Sequence, residues 1–399
     1  MVLNRYGDDC ISGHSVMIHD RGGVRRVGAL SDLTEVQWAR ERDVMSSAKV
    51  VISGRACADQ ESFINTIAPR RHEMVVFRGN QRVWEGPILE ASWYSNRVEV
   101  IANDVTDYLR GTPLSKPWPG PDGGGQIYMT ERIREILEYE LTTDYEMVVS
   151  PSGVPVTVLV PRWENLDPPA NVLPHLEVRA STGPAGILTR SSVEAFEMMA
   201  GEHLQNLAEG GLDYTTIGRK ILIWDSAQSI GRTRVLSDSD FYGELRVIAA
   251  GGEHASIGHI SAQRDEETEE TPDPSSGIGN AGGADDFYGV WTRLVSLSSE
   301  EGTDTPTQLE LNSQARRQIL GRSPVPTEIV VPADGGIRLS HDLRINELVP
   351  GAVLPVRATL NLRPVQQDQR LDRLVVRETP AGETVQVSLS SAGVLEVVP

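Results

Sequence analysis

Between His72 and Trp84 two apolar runs, Met74-Val75-Val76-Phe77 and Val83-Trp84, are separated by Gly79-Asn80. Glycine and asparagine tolerate the positive φ of a tight turn, so this stretch is predicted to be a β-hairpin. A hairpin here commits its neighbours to a sheet. Ala48, Val50 and Ile52 alternate with Lys49, Val51 and Ser53, and Val98, Val100 and Ala102 alternate with Glu99, Ile101 and Asn103, the period-two signature of strands. Further strands are expected around Val36 and Trp38 and from Ile88 to Trp93, enough for a small barrel or sandwich over residues 1–110.

The pattern breaks at Gly111–Gly125, where Pro113, Pro117, Pro119, Pro121 and three consecutive glycines read as a connecting loop. Met129, Ile133, Ile136, Leu137 and Leu141 then recur at helical spacing. A second helix is predicted to start at a capping box, Ser191-Ser192-Val193-Glu194. Its buried stripe would be Val193, Phe196, Ala200, Leu204 and Leu207, and Gly210-Gly211 would stop it. With a Pro-rich stretch between the helices, residues 111–210 read as a small α+β domain.

Strand character returns at Leu212, with a hairpin through Tyr214-Thr215-Thr216, Gly218-Arg219 and Ile221–Trp224. This is expected to open a second β-barrel domain, discontinuous over 211–264 and 340–399. Glu266, Glu267, Glu269 and Glu270, followed by Pro, Ser and Gly, suggest an exposed, mobile acidic loop over 265–286. Residues 287–339 read as an α+β insertion: a strand at Trp291–Leu297, a helix at Pro306–Leu320 with Leu309, Ala315 and Ile319 among its inward candidates, and a strand at Thr327–Val331. Strands at Leu348–Leu362, Leu371–Glu378 and Glu383–Leu389 close the chain. The fold class expected is therefore mainly β with α+β insertions.

Bulk properties narrow the function. A chain of 399 residues with 39% hydrophobic and 23% charged residues holds several ordinary globular domains. No apolar run approaches a membrane span and Met1–Asp9 has no signal-peptide character, so synthesis and folding in a cytoplasm are expected. A net charge of −19 disfavours a phosphate-neutralising nucleic-acid binder. Lys49, Lys116 and Lys220 are the only lysines, and such reliance on arginine hints at a GC-rich genome. Cys10 and Cys57 lack CxxC spacing and a local histidine and read as buried free thiols.

No catalytic, cofactor-binding or metal site emerges. Gly277-Ile278-Gly279-Asn280-Ala281-Gly282 matches GxGxxG, but an acidic Pro/Ser tract rather than a strand precedes it and no helical pattern follows, so it reads as linker glycine. His72-Glu73 begins like a zincin, but Val76 stands where the second histidine belongs, on a strand. The pairs His254/His259, with Glu253 alongside, and His14/His19 define no ligand geometry. A GxSxG elbow is absent. Glycosidase chemistry needs only two carboxylates across a groove, so Glu90, Asp104, Asp107 and Glu164 stay open as hydrolytic candidates. The Glu266–Glu270 run lacks the alternating ligands and central glycine of an EF-hand loop and reads as solvated charge.

Three stretches together resemble the tail-tip or baseplate hub proteins of long-tailed phages, closest to minor tail proteins of actinobacterial siphophages. The first is Arg70–Arg78 with Val83–Ile88, followed by Ala102–Leu109. The second is Leu207–Gly211 running into Leu212–Ile221. The third is Leu348–Gly351, then Arg370–Val376, then Thr384–Leu389. The resemblance implies a homotrimeric structural hub whose two barrels per subunit form a six-barrel ring around a channel for DNA and the tape-measure protein. It implies contacts with the distal tail protein ring and with fibres or other minor tail proteins, at the virion tail tip. Some relatives carry a C-terminal peptidoglycan hydrolase or receptor-binding extension; with Pro399 just past the last expected strand, neither is expected here, nor any enzymatic activity or cofactor. The main rival is a module binding cell-wall carbohydrate, with Trp93, Trp118 or Trp163 stacking on sugar rings; a cell-wall hydrolase comes third.

Overall fold

A computed structural model describes residues 10–397 except 24, 55–60, 121–126, 143–145, 150–155, 160–175, 183–185, 187, 190–191, 264–277, 299–307, 333–334, 361–362 and 393–395. Seven strands open the chain: β1 (His14–His19), β2 (Arg26–Leu30), β3 (Leu33–Glu41), β4 (Ser47–Ser53), β5 (Glu73–Arg78), β6 (Gln81–Trp93) and β7 (Arg97–Asn103). The first predicted hairpin is β5–β6, with Arg78 opposite Gln81 and Gly79 at φ 57°, a conformation glycine adopts without a Cβ penalty. Helices α1 (Asp107–Arg110) and α2 (Met129–Thr142), strand β8 (Glu177–Ser181), helix α3 (Ala200–Gly210) and the hairpin β9 (Leu212–Ile217) and β10 (Lys220–Asp225) follow. A smaller unit contains β11 (Ile257–Gln263), β12 (Ile278–Gly282), β13 (Thr292–Ser298) and helix α4 (Gln308–Ile319). Strands β14 (Val353–Leu360), β15 (Arg363–Thr379) and β16 (Gly382–Ser391) close the fold.

The first seven strands and the last three form one ten-stranded sheet in the order β2-β1-β5-β6-β7-β4-β3-β15-β14, with β16 also on β15. Long β15 makes this possible. Its first half pairs with β14, and its second half lies between β3 and β16, with Arg373 opposite Glu41 and Glu378 opposite Val36. Among the described residues the ladders do not close into separate rings; the two β regions share one ladder. They also share one core, in which Val16, Val36, Trp38, Val50 and Val76 join a cluster with Leu371, Leu374 and Val376. Each such fully buried aliphatic side chain contributes about 1.5–3 kcal/mol.

A second core forms under the helices. Met129, Ile133, Ile136, Leu137 and Leu141 are buried from α2, as their spacing predicts, together with Ala200, Leu204 and Leu207 from α3. The β9–β10 hairpin, expected to open the second β region, instead buries Leu212, Tyr214, Ile221 and Ile223 in this same cluster, and β8 adds to β10 in parallel. Gly218 at φ 57° makes its turn, as the sequence suggested.

Two further readings need correction. The second helix begins at Ala200, not at Ser192. Val193 bridges to Trp118 and Met199 to Pro113, and between these bridges the chain turns, with the Glu197 N–H on the Glu194 carbonyl and Phe196 at φ 62°, so the preceding residues are held out of a helix. The acidic loop extends less far than expected: its acidic run lies outside the described residues, while Ile278–Gly282 forms β12, antiparallel to β11. The predicted strand at Trp291–Leu297 matches β13 and the predicted helix matches α4, whose buried contacts are Leu311 and Ala315; Leu309 lies outside the residues whose side chains are described.

Candidate assembly surface

Helix α4 covers one face of the sheet β12-β11-β13, and on the opposite face Ile278 and Leu294 are exposed. The covered face is closely packed because it is glycine-bearing: a Cβ on Gly258 would sit 2.4 Å from the Ala315 carbonyl oxygen, and one on Gly279 only 2.1 Å from that of Leu311. Period-two alternation sends His259, Ser261, Ile278, Asn280 and Leu294 to the other side, where with Gln308 they line an open basin of about 650 Å³. Leu294 is 68% exposed. The β12 edge is held by α4, since Asn280 N–H donates to Asn312 Oδ1 at 2.9 Å and Gln308 Nε2 donates to the Ile278 carbonyl at 2.7 Å. The β13 edge pairs only with β11 among the described residues.

The turn entering β13 extends this apolar face. Asp285 Oδ1 accepts the backbone N–H groups of Phe287 (2.9 Å) and Tyr288 (2.8 Å), which hold its carboxyl below the usual range. Gly289 at φ 80° closes the turn, and Trp291 Nε1 donates to the Tyr288 carbonyl at 2.8 Å. Phe287 is thereby 86% exposed, with Val290 and Trp291 also presented to solvent. The turn thus holds apolar side chains outward beside a strand edge that, among the described residues, pairs on one side only. In the sequence this stretch carried only a strand signal; Phe287-Tyr288-Gly289-Val290-Trp291, three aromatics around a turn glycine, is the cue that was available.

The residues weighed for chemistry are dispersed and engaged in structural contacts. His14 bridges Trp38 Nε1 (3.1 Å) and Glu378 Oε2 (2.6 Å), while His19 faces the Gly23 carbonyl at 2.9 Å. His72 accepts the Ala68 N–H at 3.1 Å, whereas Glu73 pairs with Arg219 at 2.6 Å. His254 contacts the Arg322 carbonyl at 2.8 Å and His259 contacts Asn280, so they share no ligand position; Glu253 pairs with Arg322. Asp104, whose buried carboxyl is pushed up by desolvation, accepts five hydrogen bonds, from the N–H and hydroxyl of Ser46, those of Thr106, and the hydroxyl of Thr216. Asp107 pairs with Arg70 and accepts from Asn103, and Glu90 accepts from Ser92 Oγ at 2.5 Å. Among the described residues no group of three His, Cys, Asp or Glu side chains is placed to hold a metal, and no helix is long and apolar enough to cross a membrane. Trp118 is buried, Trp93 is half-exposed, and Cys10 is partly buried beside Asp32. Cys57, Trp163, Glu164, Gly277 and Glu266–Glu270 lie outside the described residues.

The fold is mainly β with α+β insertions, as expected. The sequence matches no protein-family model and no curated protein. Solved structures sharing the fold include tail proteins of prophages. The 43 kDa tail protein of prophage MuSo2 from Shewanella oneidensis is 13% identical and aligns over 94% of this chain and 98% of that one, with a TM-score of 0.55. A tail protein from Neisseria meningitidis MC58 is 11% identical over 96% and 98%, with a TM-score of 0.52. The prophage tail protein gp18 from Listeria monocytogenes EGD-e is 10% identical over 94% of each chain, with a TM-score of 0.51. At these identities the likeness is one of fold.

Proposed function

We propose that this chain is a structural component of a phage tail, specifically the hub at the tail tip of a siphophage. The observation that carries this is the extent of the fold match, essentially end to end on both chains for the MuSo2 tail protein. The single ladder linking β3 to β15 supports it, because a ring wall built from few subunits needs each to supply a long, rigid stretch of sheet. In this reading three copies form a ring that closes the distal end of the tail tube, each supplying two barrel regions, residues 1–110 and a discontinuous one drawn from 211–264 and 340–399, less the β9–β10 hairpin, which packs with the helices, and β11, which packs with α4. Residues 111–210 and 287–339 form the α+β parts. The ring anchors the distal tail protein and other tip proteins or fibres, and the face of β12-β11-β13 opposite α4 is one such contact. DNA and the tape-measure protein pass through as cargo, and part of the −19 charge lines the channel and repels phosphate.

Electron microscopy of the purified oligomer or of the virion tail tests this: a threefold ring with an open, acidic lumen is expected, and compact monomers at virion-like concentration would overturn it. One observation favours the carbohydrate-binding reading. Trp93 and Tyr94 lie half-exposed side by side at the β6–β7 turn, with Arg97 stacked 4.1 Å from the Tyr94 ring, a surface on which a sugar ring could stack. Retention on purified cell wall that is lost in Trp93→Ala would support that reading.

A further inference from the structure

Arginines gather at one end of the ten-stranded sheet, where β1 and β7 finish and β2 and β5 begin, around two buried aspartates. Asp20 accepts from Arg25 Nη2 at 3.0 Å and Arg71 Nε at 3.1 Å. Asp107 pairs with Arg70 and lies 4.0 Å from Arg110 Nη1. Since Arg70 and Arg71 are consecutive, the two clusters form one patch, and exposed Arg26 stands at its margin. What water meets here is positive: the aspartates are 4% and 1% exposed, the four paired arginines between 43% and 66%. Five arginines against two aspartates leave a surplus of three charges, in a chain whose total is −19. Each guanidinium held from behind by an aspartate is oriented in advance and keeps donors facing outward, so less conformational entropy is lost when it meets a carboxylate.

The helical unit presents the complementary charge. Its second core buries one stripe of α2, leaving Glu131 and Glu135 exposed one turn apart, with Glu138 following and Arg134 beside it at 3.7 Å. Helix α3 adds exposed Glu209, whereas Glu202 lies beside Arg110 of the same copy. A ring of identical subunits is heterologous, so each copy must carry two different surfaces that fit each other.

We infer that the arginine patch of one copy docks head to tail on the glutamate-bearing face of α2 in a second copy. This rests on the ring reading above, and it names the contact that sets the direction of the ring. The patch guides encounter through its field and fixes register through carboxylate–guanidinium pairs.

The test is self-association of the full chain, followed by light scattering and sedimentation from low to high salt. Wild type is expected to associate, more weakly as salt rises. Arg70→Glu with Arg71→Glu is expected to weaken association by about tenfold or more, and adding Glu131→Arg with Glu135→Arg to the same chain is expected to restore it. Because Arg70 and Arg71 also hold Asp107 and Asp20, a second pair, Arg25→Gln with Arg26→Glu, leaves Arg71 on Asp20 and both Arg70 and Arg110 on Asp107 and is expected to act in the same direction, with circular dichroism confirming the fold. A wild type that stays monomeric at every salt concentration overturns both the ring and this contact. Association that ignores the reversals overturns the contact alone, as does loss without rescue. Salt-sensitive capture of duplex DNA by the same arginines, with association unchanged, would make the patch a phosphate-binding surface instead and likewise overturn the contact.

Discussion

Asp213 Oδ1 lies 3.0 Å from Nη1 of Arg42, and this pair ties the helical unit to the main sheet. Asp213 opens the β9–β10 hairpin and is fully buried, while Arg42 follows the last residue of β3. Arg370 of β15 reaches the same carboxylate at 3.2 Å and Arg317 of α4 comes within 3.7 Å, while Arg42 also pairs with Asp372 at 2.8 Å and Asp43 at 3.1 Å. Three arginines from distant parts of the chain thus converge on one aspartate.

Asp213→Asn removes the charge while keeping the shape, and takes from buried Arg370 its one ion-pair partner among the described residues, while Arg42 keeps Asp372 and Asp43. Destabilisation of about 3–5 kcal/mol is expected, because stripping one partner from a buried pair exposes the full desolvation cost of the other. Urea midpoints checked by two spectroscopic probes would show it, and a change under 1 kcal/mol would mean the cluster is redundant.

Arg40 points the other way. It is fully buried, donates from Nη2 to the Val83 carbonyl at 2.7 Å and stacks 5.0 Å from the Trp38 ring, yet its Nε and Nη1 have no hydrogen-bond partner among the described residues and desolvation lowers its pKa to about 10. Arg40→Met retains much of the packing without an unpaired cation. A rise in stability of about 1–3 kcal/mol is the expected result of thermal or urea denaturation.

His203, on α3, sits in the helical unit, where burial, reinforced by the Arg132 charge, lowers its pKa to about 4. A histidine with a depressed folded pKa costs nothing above its unfolded value of about 6.5; between there and about 4 the unfolded chain takes up the proton first, so stability falls on acidification. The loss attributable to this residue reaches up to about 3 kcal/mol. Urea titrations of wild type and His203→Leu at pH 7.5, 6 and 5 should diverge in that window, with the variant flatter. Parallel slopes would show that His203 is not the group responsible.

Gly279→Ala places a methyl against the Leu311 carbonyl, where the backbone-to-backbone approach leaves no room. Helix α4 should be pushed off the β12-β11-β13 sheet while the main core is untouched. Hydrogen exchange is expected to accelerate over Gln308–Ile319 by about tenfold or more, corresponding to a local loss above about 1.4 kcal/mol, with β3 and β15 unchanged.

Leu294→Ser with Phe287→Ser tests the face opposite α4. Both side chains are exposed, so stability is expected to stay within about 0.5 kcal/mol of wild type. If the chain is the tail component proposed above, its incorporation into tails, measured by complementation, is expected to fall. Normal incorporation would remove this face from the assembly.

Local chemistry was legible in the sequence where it decides structure alone. The turns at Gly79-Asn80 and Gly218-Arg219 and the stripe Met129–Leu141 lie where spacing and backbone preference place them. The capping box at Ser191–Glu194 was outweighed by tertiary pairing, since Val193 satisfies its backbone against Trp118 at 2.8 and 3.1 Å instead of in a helix. The pairing of β3 with β15 left no trace in local pattern, because its partners lie more than 300 residues apart and alternation says which face is buried but not which strand is adjacent. Likewise, the arginine end of the sheet needs residues 20–26, 70–71 and 107–110 brought together, which no linear spacing reports.

The β3–β15 ladder also sets a clock on biosynthesis. While the ribosome is still making the middle of the chain, β3 has β4 on one side and an unsatisfied edge on the other, and its proper partner does not yet exist. Completion of the sheet is postponed until residues 373–378 emerge, so an interrupted product keeps an adhesive edge where the finished one has none. Only a copy that carries residues 373–378 has that edge of β3 occupied, so the stability of the first strands depends on the last ones.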